Sequence, residues 1–405
     1  MKNRDTYMKT LLEFKDKNVI KIVTGIRRCG KSTLLQLFAE KLVQDGVSER
    51  NIIQMNFESM QFADITDYKA LYYAVKDRIA PVGKTYIILD EIQIVPKWEK
   101  AVNSFLVDFD VDIYITGSNA YLLSSELSTF LSGRYVEIKM LPLSFKEFLE
   151  FYEFDAKVSD DEKFQLYLKL GGMPSAVEFN FNEQRVHDLL EGIYSTVILK
   201  DVIERNKIAD QNLLQRIVLF LADNVGSIIS SNSIGNFLAN EKKLDNKQKN
   251  PASRTVENYI TMLENSFIFY GIKRYDIKGK QHLKTLSKYY VVDTGIRNML
   301  LGYRDIDRGH ILENVVYFEL LRRGYRVSIG KIGDREIDFI AENPNEKIYI
   351  QVSETLQGTE TLERELSPLR DIKDNYEKLI LSMDKTFIKS YEGIKVKNLI
   401  EFLCE

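Results

Sequence analysis

The spacing of apolar and polar positions changes character twice along the chain. Up to about residue 145, short apolar runs alternate with stretches of helical spacing. Val19–Thr24, Ile52–Phe57, Tyr86–Leu89, Ile113–Thr116 and Tyr135–Met140 each read as a strand. Such runs separated by helix-length segments predict a parallel sheet with crossover helices. From Phe145 to Arg205 the pattern is helical, with Phe145, Phe148, Phe151 and Tyr152, then Phe164, Tyr167 and Leu168. Gly171-Gly172-Met173-Pro174 breaks it once.

Three helix patterns follow at Leu213–Asp223, Ser233–Asn240 and Val256–Phe267, the last with Ser253 as N-cap. Two strands, Phe267–Arg274 and Lys288–Asp293, are joined through Lys278-Gly279-Lys280. Three helices and then a ribbon predict a winged helix-turn-helix, with polar Glu241–Pro251 as the loop before its third helix. The tail opens near His310 with a helix, Glu313–Arg323. Strands at Tyr325–Ile329, Glu336–Ile340 and Ile348–Val352, a helix at Leu362–Asp371 and a strand at Lys378–Ser382 complete what reads as a small separate α/β domain.

Composition narrows the class. A chain of 405 residues, 44% hydrophobic and 28% charged with a net charge of −3, fits an ordinary globular protein of two or three domains. Its two cysteines, Cys29 and Cys404, and its histidines at 187, 282 and 310 offer no disulfide framework, zinc cluster or triad, which suits a reducing cytosol. No apolar run approaches the ~20 residues of a membrane span, and the charged N-terminus leads into no apolar signal segment. The expected location is cytoplasmic, with no membrane partner.

The strongest chemical signal is Gly25-Ile26-Arg27-Arg28-Cys29-Gly30-Lys31-Ser32, a complete G-x-x-x-x-G-K-S phosphate loop, followed by Thr33. It lies between a predicted strand and a predicted helix. Gly25 and Gly30 let backbone N–H groups turn toward phosphate oxygens. Lys31 would reach the β- and γ-phosphates, Ser32 would ligate Mg²⁺, and the helix N-terminus faces the anion. Thr85-Tyr86-Ile87-Ile88-Leu89-Asp90-Glu91 is an apolar strand ending in two carboxylates. Asp90 would hold Mg²⁺, directly or through water, and Glu91 would polarise the attacking water as general base; the plain alternative is a solvated strand end. In ATPases with such a pair, a polar residue ending the neighbouring strand senses the γ-phosphate. Ser118 or Asn119 fits, although both types are also common in loops and caps. Arg134, just before the last strand of the sheet, would stabilise phosphoryl charge from its own or a neighbouring chain, or else be a surface arginine paired with a carboxylate.

These residues resemble a family of bacterial and archaeal AAA-type ATPases whose C-terminal domain of unknown function looks like a degenerate restriction-endonuclease fold. The resemblance covers nearly the whole chain. It rests on Gly25–Thr33, Ile88–Gln93, Ile115–Ser118 and Leu131–Arg134. Pro142-Leu143-Ser144-Phe145 with Glu147-Phe148, Gly171–Pro174, Tyr289–Gly295, Glu336–Phe339 and Tyr349–Ser353 extend it. It implies a P-loop core of the additional-strand, catalytic-glutamate type at 1–145 and a helical lid at 146–207. A winged helix like those of origin-recognition ATPases would span 208–305, and a nuclease-like α/β domain 306–405.

Between Lys242 and Arg297 there are 12 Lys/Arg against five Asp/Glu, an excess of +7 in a net acidic chain. A cationic winged helix suits DNA phosphates. Arg254 would stand at the start of its third helix and Lys278, Lys280 and Lys284 on the wing. Winged helices also serve intramolecular packing in related signalling ATPases, so a protein partner is the rival reading. In the tail, Glu313, Asp338 and Gln351-Val352-Ser353 follow the order of a restriction-type site, but Gln351 stands where a metal-binding carboxylate is needed and Ser353 where a lysine is needed. Lys347 or Lys331 could migrate into that role, and Asp338 beside Arg335 could be a structural ion pair. The resulting expectation is a Mg²⁺-dependent ATP-hydrolysing switch acting on single- or double-stranded DNA, with oligomerisation open. A protein-binding switch and an ATP-dependent nuclease are the alternatives.

Overall fold

The structure, a computed structural model, describes residues 2–120, 133–242, 253–304, 308–385 and 388–405, leaving aside the side chains of 231, 239–242 and 283–285. Leu131 and Ser132 of one motif, and most of the Glu241–Pro251 segment, therefore lie outside the described residues. Two compact units are present, Met1–Met140 with Asn265–Phe267, and Leu141–Glu264 with Ile268–Glu405.

The first unit runs α1 (Asp5–Glu13), β1 (Ile20–Thr24), α2 (Lys31–Gln44), β2 (Ile52–Asn56), α3 (Tyr68–Lys76), β3 (Thr85–Asp90), α4 (Trp98–Asp108), β4 (Val111–Gly117) and β5 (Tyr135–Lys139). Its five strands lie in the order β2-β3-β4-β1-β5, every pairing parallel. β1 and β3 are buried along their whole length, because helices cover both faces. On one face Ile22, Ile87, Leu89 and Ile115 cluster with Val75 of α3 and Phe105 of α4. Alternate residues point the other way, and there the Tyr114 ring lies 4.5 Å from that of Phe38 on α2. β4 stands between β1 and β3, the additional strand that the resemblance implied. Since all strands run one way, the carboxyl ends of β1, β3 and β4 share one edge.

The other edge of this sheet carries a buried ionic group. Lys21, in β1, is fully buried and donates to Asp112 of β4 and, at 3.0 Å, to the Lys17 carbonyl. The other Asp112 oxygen accepts from the Tyr114 hydroxyl and the Asp16 amide, each at 2.8 Å. Burial holds the Lys21 ammonium below its usual range despite this partner.

The second unit begins with α5 (Phe145–Phe151) and α6 (Asp160–Leu170), each started by a capping box, Ser144 with Glu147 and Ser159 with Glu162. α7 (Glu183–Thr196) continues through wider turns over Val197–Glu204, and α8 (Gln211–Asp223), α9 (Ser231–Lys242) and α10 (Ser253–Asn265) follow. After them come β6 (Phe269–Asp276), β7 (Gln281–Val291), α11 (Thr294–Leu301), α12 (Arg308–Arg322), β8 (Arg326–Ile332), β9 (Arg335–Glu342) and β10 (Lys347–Ser353). The unit ends with α13 (Thr359–Arg370), β11 (Glu377–Ser382), β12 (Ser390–Tyr391), β13 (Ile394–Asn398) and α14 (Leu399–Cys404).

The tail is not separate in the way its sequence suggests. β6 pairs in parallel with β8, Arg274 to Asp276 against Ile329 to Lys331. One eight-stranded sheet, β12-β13-β11-β10-β9-β8-β6-β7, thus runs through the expected boundary at 305/306. β7 also begins at Gln281 rather than Lys288. It is the edge strand of that sheet, and an edge strand tolerates polar residues that hide it from an apolar count.

Three sequence motifs meet within this unit. Asp293 caps α11 by accepting from the Ile296 amide at 3.0 Å and also accepts from the Gly172 amide at 2.7 Å. The Gly172 carbonyl in turn accepts from the Leu143 amide at 2.6 Å. Gly171 has φ +78°, and a Cβ there would sit 2.2 Å from the Asp293 carboxylate, so no other residue fits. Among the described residues, no helix is long and apolar enough to cross a membrane.

Candidate functional site

β1 ends at Thr24 and α2 starts at Lys31, so the whole phosphate loop spans one strand-to-helix turn. Gly25 has φ +147°, and a Cβ there would lie 2.1 Å from the Met140 carbonyl oxygen, which excludes any side chain. Gly30, at φ +100°, is the N-cap of α2. Arg28 also has positive φ and points to solvent, while Ile26 and Cys29 are buried under the loop. Arg27 pairs with Glu58 at 3.3 Å. The Lys31 ammonium is buried inside the loop and donates to the Gly25 and Ile26 carbonyls, both at 3.0 Å. Ser32 and Thr33 occupy the first turn of α2, whose free N–H groups and dipole favour an anion.

At the same edge β3 delivers Asp90 and Glu91, both only 7% exposed. Asp90 accepts hydrogen bonds from Thr116 of β4, from Asn56 of β2 at 2.9 Å, and from Ser32. Burial raises its carboxyl above the ordinary value, a charge from Glu91 adds to this, and Thr116, Ser32 and Lys31 oppose it. The oxygens of Ser32 and Asp90 side by side are the hard donors a Mg²⁺ ion requires. Glu91 stands at φ +54°, its amide donating to the Thr116 hydroxyl at 2.9 Å. That turn aims its carboxylate sideways, where it accepts from Gln93 and, at 3.2 Å, from Ser118.

Ser118 is therefore brought to the carboxylate pair, and Asn119, next to it, is buried. Asn56, Gln93 and Thr116 belong to the same network and were missed by sequence reasoning. Asn56 ends the strand beside β3 and Thr116 closes the strand on its other side, a position that strand order alone reveals. Arg134 lies elsewhere. It is exposed, and its carbonyl accepts from Ile20 at the beginning of β1. Five residues separate it from Lys139, the partner of Thr24, so at ~3.3 Å per residue it stands roughly 16 Å from the loop end of the sheet. The same-chain role for Arg134 is thereby corrected: it cannot reach a phosphate bound at its own Lys31.

A model of the AAA domain matches residues 17–149, and a model of a domain of unknown function matches 161–307. An uncharacterized protein of Haemophilus influenzae is 40% identical over all of this chain and 99% of its own length. Residues 17–149 thus belong to the AAA domain family, and the chain as a whole belongs to one family with this relative. A second relative, from Methanocaldococcus jannaschii, is 31% identical over 96% of this chain and 86% of its own. Among solved structures, the Aeropyrum pernix ORC2 protein in its ADPNP–ADP complexes aligns over 78% of this chain and 93% of that one, with 12% identity and a TM-score of 0.42.

Outside the AAA core, Arg254 is exposed on the first turn of α10. Lys278 and Lys280 are exposed at the β6–β7 turn, where Asp276 accepts from the Lys278 and Gly279 amides. The side chain of Lys284 lies outside the described residues. Among the described residues of that segment, Lys288 and Arg297 are buried.

In the tail, Glu313 of α12, Asp338 of β9 and Gln351 of β10 do line one cavity of about 740 Å³, with Glu336, Arg364 and Glu365 also on its wall. Lys288 of β7 reaches the same acids, at 3.0 Å from Glu313, 2.6 Å from Glu336 and 3.7 Å from Asp338. Lys347 is instead engaged with Glu342 at 2.7 Å, and Arg335 pairs with Asp371 rather than Asp338.

Proposed function

We propose that the AAA core binds ATP with Mg²⁺ and hydrolyses it, and that this turnover gates an action on DNA. The observation that carries the reading is the Glu91 carboxylate, buried beside Asp90 and held by Gln93 and Ser118 at the edge where the phosphate loop opens. Lys31 neutralises the β- and γ-phosphates, and Ser32 and Asp90 hold Mg²⁺, which offsets phosphate charge. Glu91 accepts the proton of the attacking water. Ser118 and Gln93 orient that carboxylate and release it when a γ-phosphate competes for them. Arg134, exposed at the far edge, serves a neighbouring copy's phosphates. The nuclease-like tail keeps its shape without cutting.

DNA is favoured as the target by the local +7 excess and by the exposure of Arg254, Lys278 and Lys280. Phosphate-directed cations without a base-reading set lead to weak, salt-sensitive binding with little sequence preference. One observation supports the rival switch that binds a protein: the β6–β7 ribbon is paired to β8 instead of projecting as a free wing. ATPase rate measured with and without single- and double-stranded DNA separates the two. Stimulation that is lost when Arg254, Lys278 and Lys280 become Ala supports the DNA reading. No binding or stimulation at low salt moves the assignment to a protein partner.

A further inference from the structure

A restriction-type fold implies a divalent metal ion held by carboxylates from its helix and strands, so the tail cavity can be tested for fit. Asp338 Oδ2 already accepts from the Val352 amide at 2.9 Å. Gln351 accepts from the Asp338 amide at 2.7 Å and donates its NH₂ to Glu365 at 2.9 Å, so both ends of its neutral amide are engaged. Glu365 is further engaged by Arg364 at 2.8 Å. What remains are Glu313, Glu336 and one oxygen of Asp338, and all three face a single ammonium. Among the described residues no group of three or more such side chains is arranged for a metal ion.

We infer that the Lys288 ammonium is the resident cation of this cavity, occupying the place a divalent metal would need and closing the cluster to it. The supporting geometry is one-sided. Lys288 is 3% exposed and sits on β7, a strand contributed by the ribbon rather than by the tail's own strands. Tyr290, two residues on and so on the same face, donates to Glu313 at 2.9 Å, which fills the next acceptor position. His310 stands 3.5 Å from the other Glu313 oxygen. Burial alone would lower the Lys288 ammonium, but Glu313, Asp338 and Glu336 together hold it above the usual lysine range. Asp338 is pushed up as well, by burial and by Glu313. A lysine held by two carboxylates at 3.0 and 2.6 Å and faced by a third at 3.7 Å is a fixed counter-ion, whereas a lysine that readies water for attack must be able to give up a proton. The inference stands on the tail's geometry and does not depend on ATP hydrolysis in the core.

The test uses the full-length protein without nucleotide, titrated with Tb³⁺ and with Mn²⁺, reading Tb³⁺ luminescence excited through tyrosine, since Tyr290 touches the cluster. The parent and Asp338→Asn are expected to bind the same number of ions. Lys288→Met removes the charge at similar size and is expected to bind one ion more per chain, an ion lost again in Lys288→Met/Asp338→Asn. Its melting temperature should fall and be partly restored by Mn²⁺, while Lys288→Arg should behave as the parent does. An ion bound by the parent and lost in Asp338→Asn overturns the inference. So does a Lys288→Met protein that is folded, stable and gains no ion. If Lys288→Met does not fold, the parent and Asp338→Asn titrations still decide between a resident lysine and a true metal site.

Discussion

Removing the Asp112 carboxylate should cripple the AAA core without touching its nucleotide edge. The side chain is 1% exposed and serves three donors: the Lys21 ammonium, the Tyr114 hydroxyl and the Asp16 amide. Asp112→Ala leaves a buried ammonium without its counter-ion, an event that costs about 3–5 kcal/mol. It also strands the Tyr114 hydroxyl, worth roughly 1–3 kcal/mol if no water enters. Lys21 can escape part of the first penalty by shedding its proton, since burial already favours the neutral amine. A loss of about 4–6 kcal/mol is therefore expected, against the ~5–15 kcal/mol that a whole domain commands. Trp98, the chain's one tryptophan, is buried on α4 within the same core and reports unfolding of this unit by fluorescence in urea. Lys21→Met added to Asp112→Ala should recover most of the charge penalty but not the Tyr114 contribution. A loss below about 1 kcal/mol, or a double variant as unstable as Asp112→Ala alone, refutes the reasoning.

Three other outcomes follow from the geometry. Glu91→Gln should retain ATP binding and lose turnover, while Lys31→Ala should weaken binding itself; a Glu91→Gln protein hydrolysing at the parent rate removes Glu91 from the mechanism. Arg134→Ala should lower turnover without lowering the melting temperature, and mixing it with Lys31→Ala protein should restore activity, because one copy keeps the arginine and the other the phosphate loop. Burial pushes the Asp293 carboxyl up to about 6, from an ordinary value near 4, so between those values the folded state binds the proton more tightly than the unfolded one. Stability contributed by this group therefore rises as pH falls through that window and is lost as pH rises through about 6. Melting curves of Asp293→Asn and parent across pH 4–7 should differ by that slope, and parallel curves would discard it.

The nucleotide edge was legible because its chemistry is local. Eight consecutive residues make the loop, and an apolar strand announces Asp90 and Glu91 wherever it sits in the sheet. Their supports were not, since Asn56 and Thr116 become neighbours of Asp90 only once β2, β3 and β4 are placed side by side. Arg134 shows the converse: its position before a strand was readable, but which end of that strand faces the loop required the parallel register. The tail's missing cation was sought in Lys347 and Lys331, close in sequence to Asp338. The lysine that meets Asp338 is instead Lys288, fifty residues upstream, on a ribbon that the β6–β8 pairing and the bonds of Tyr290 and Val291 to Glu313 and Asn314 hold against the tail.

That pairing also sets the order in which the polypeptide can mature on the ribosome. The five-stranded sheet has all its strands once Lys139 has emerged. The β6–β7 ribbon, synthesised by Val291, must wait for β8 and cannot seat one of its flanks before Ile332 has left the exit tunnel. At ~5–20 residues per second this is an interval of seconds in which β6 presents an unpaired strand edge. A chain cut short anywhere in α12 would keep that edge open for good. The tail is thus no detachable cassette, and any descendant of this architecture that loses it must also rebuild the ribbon it completes.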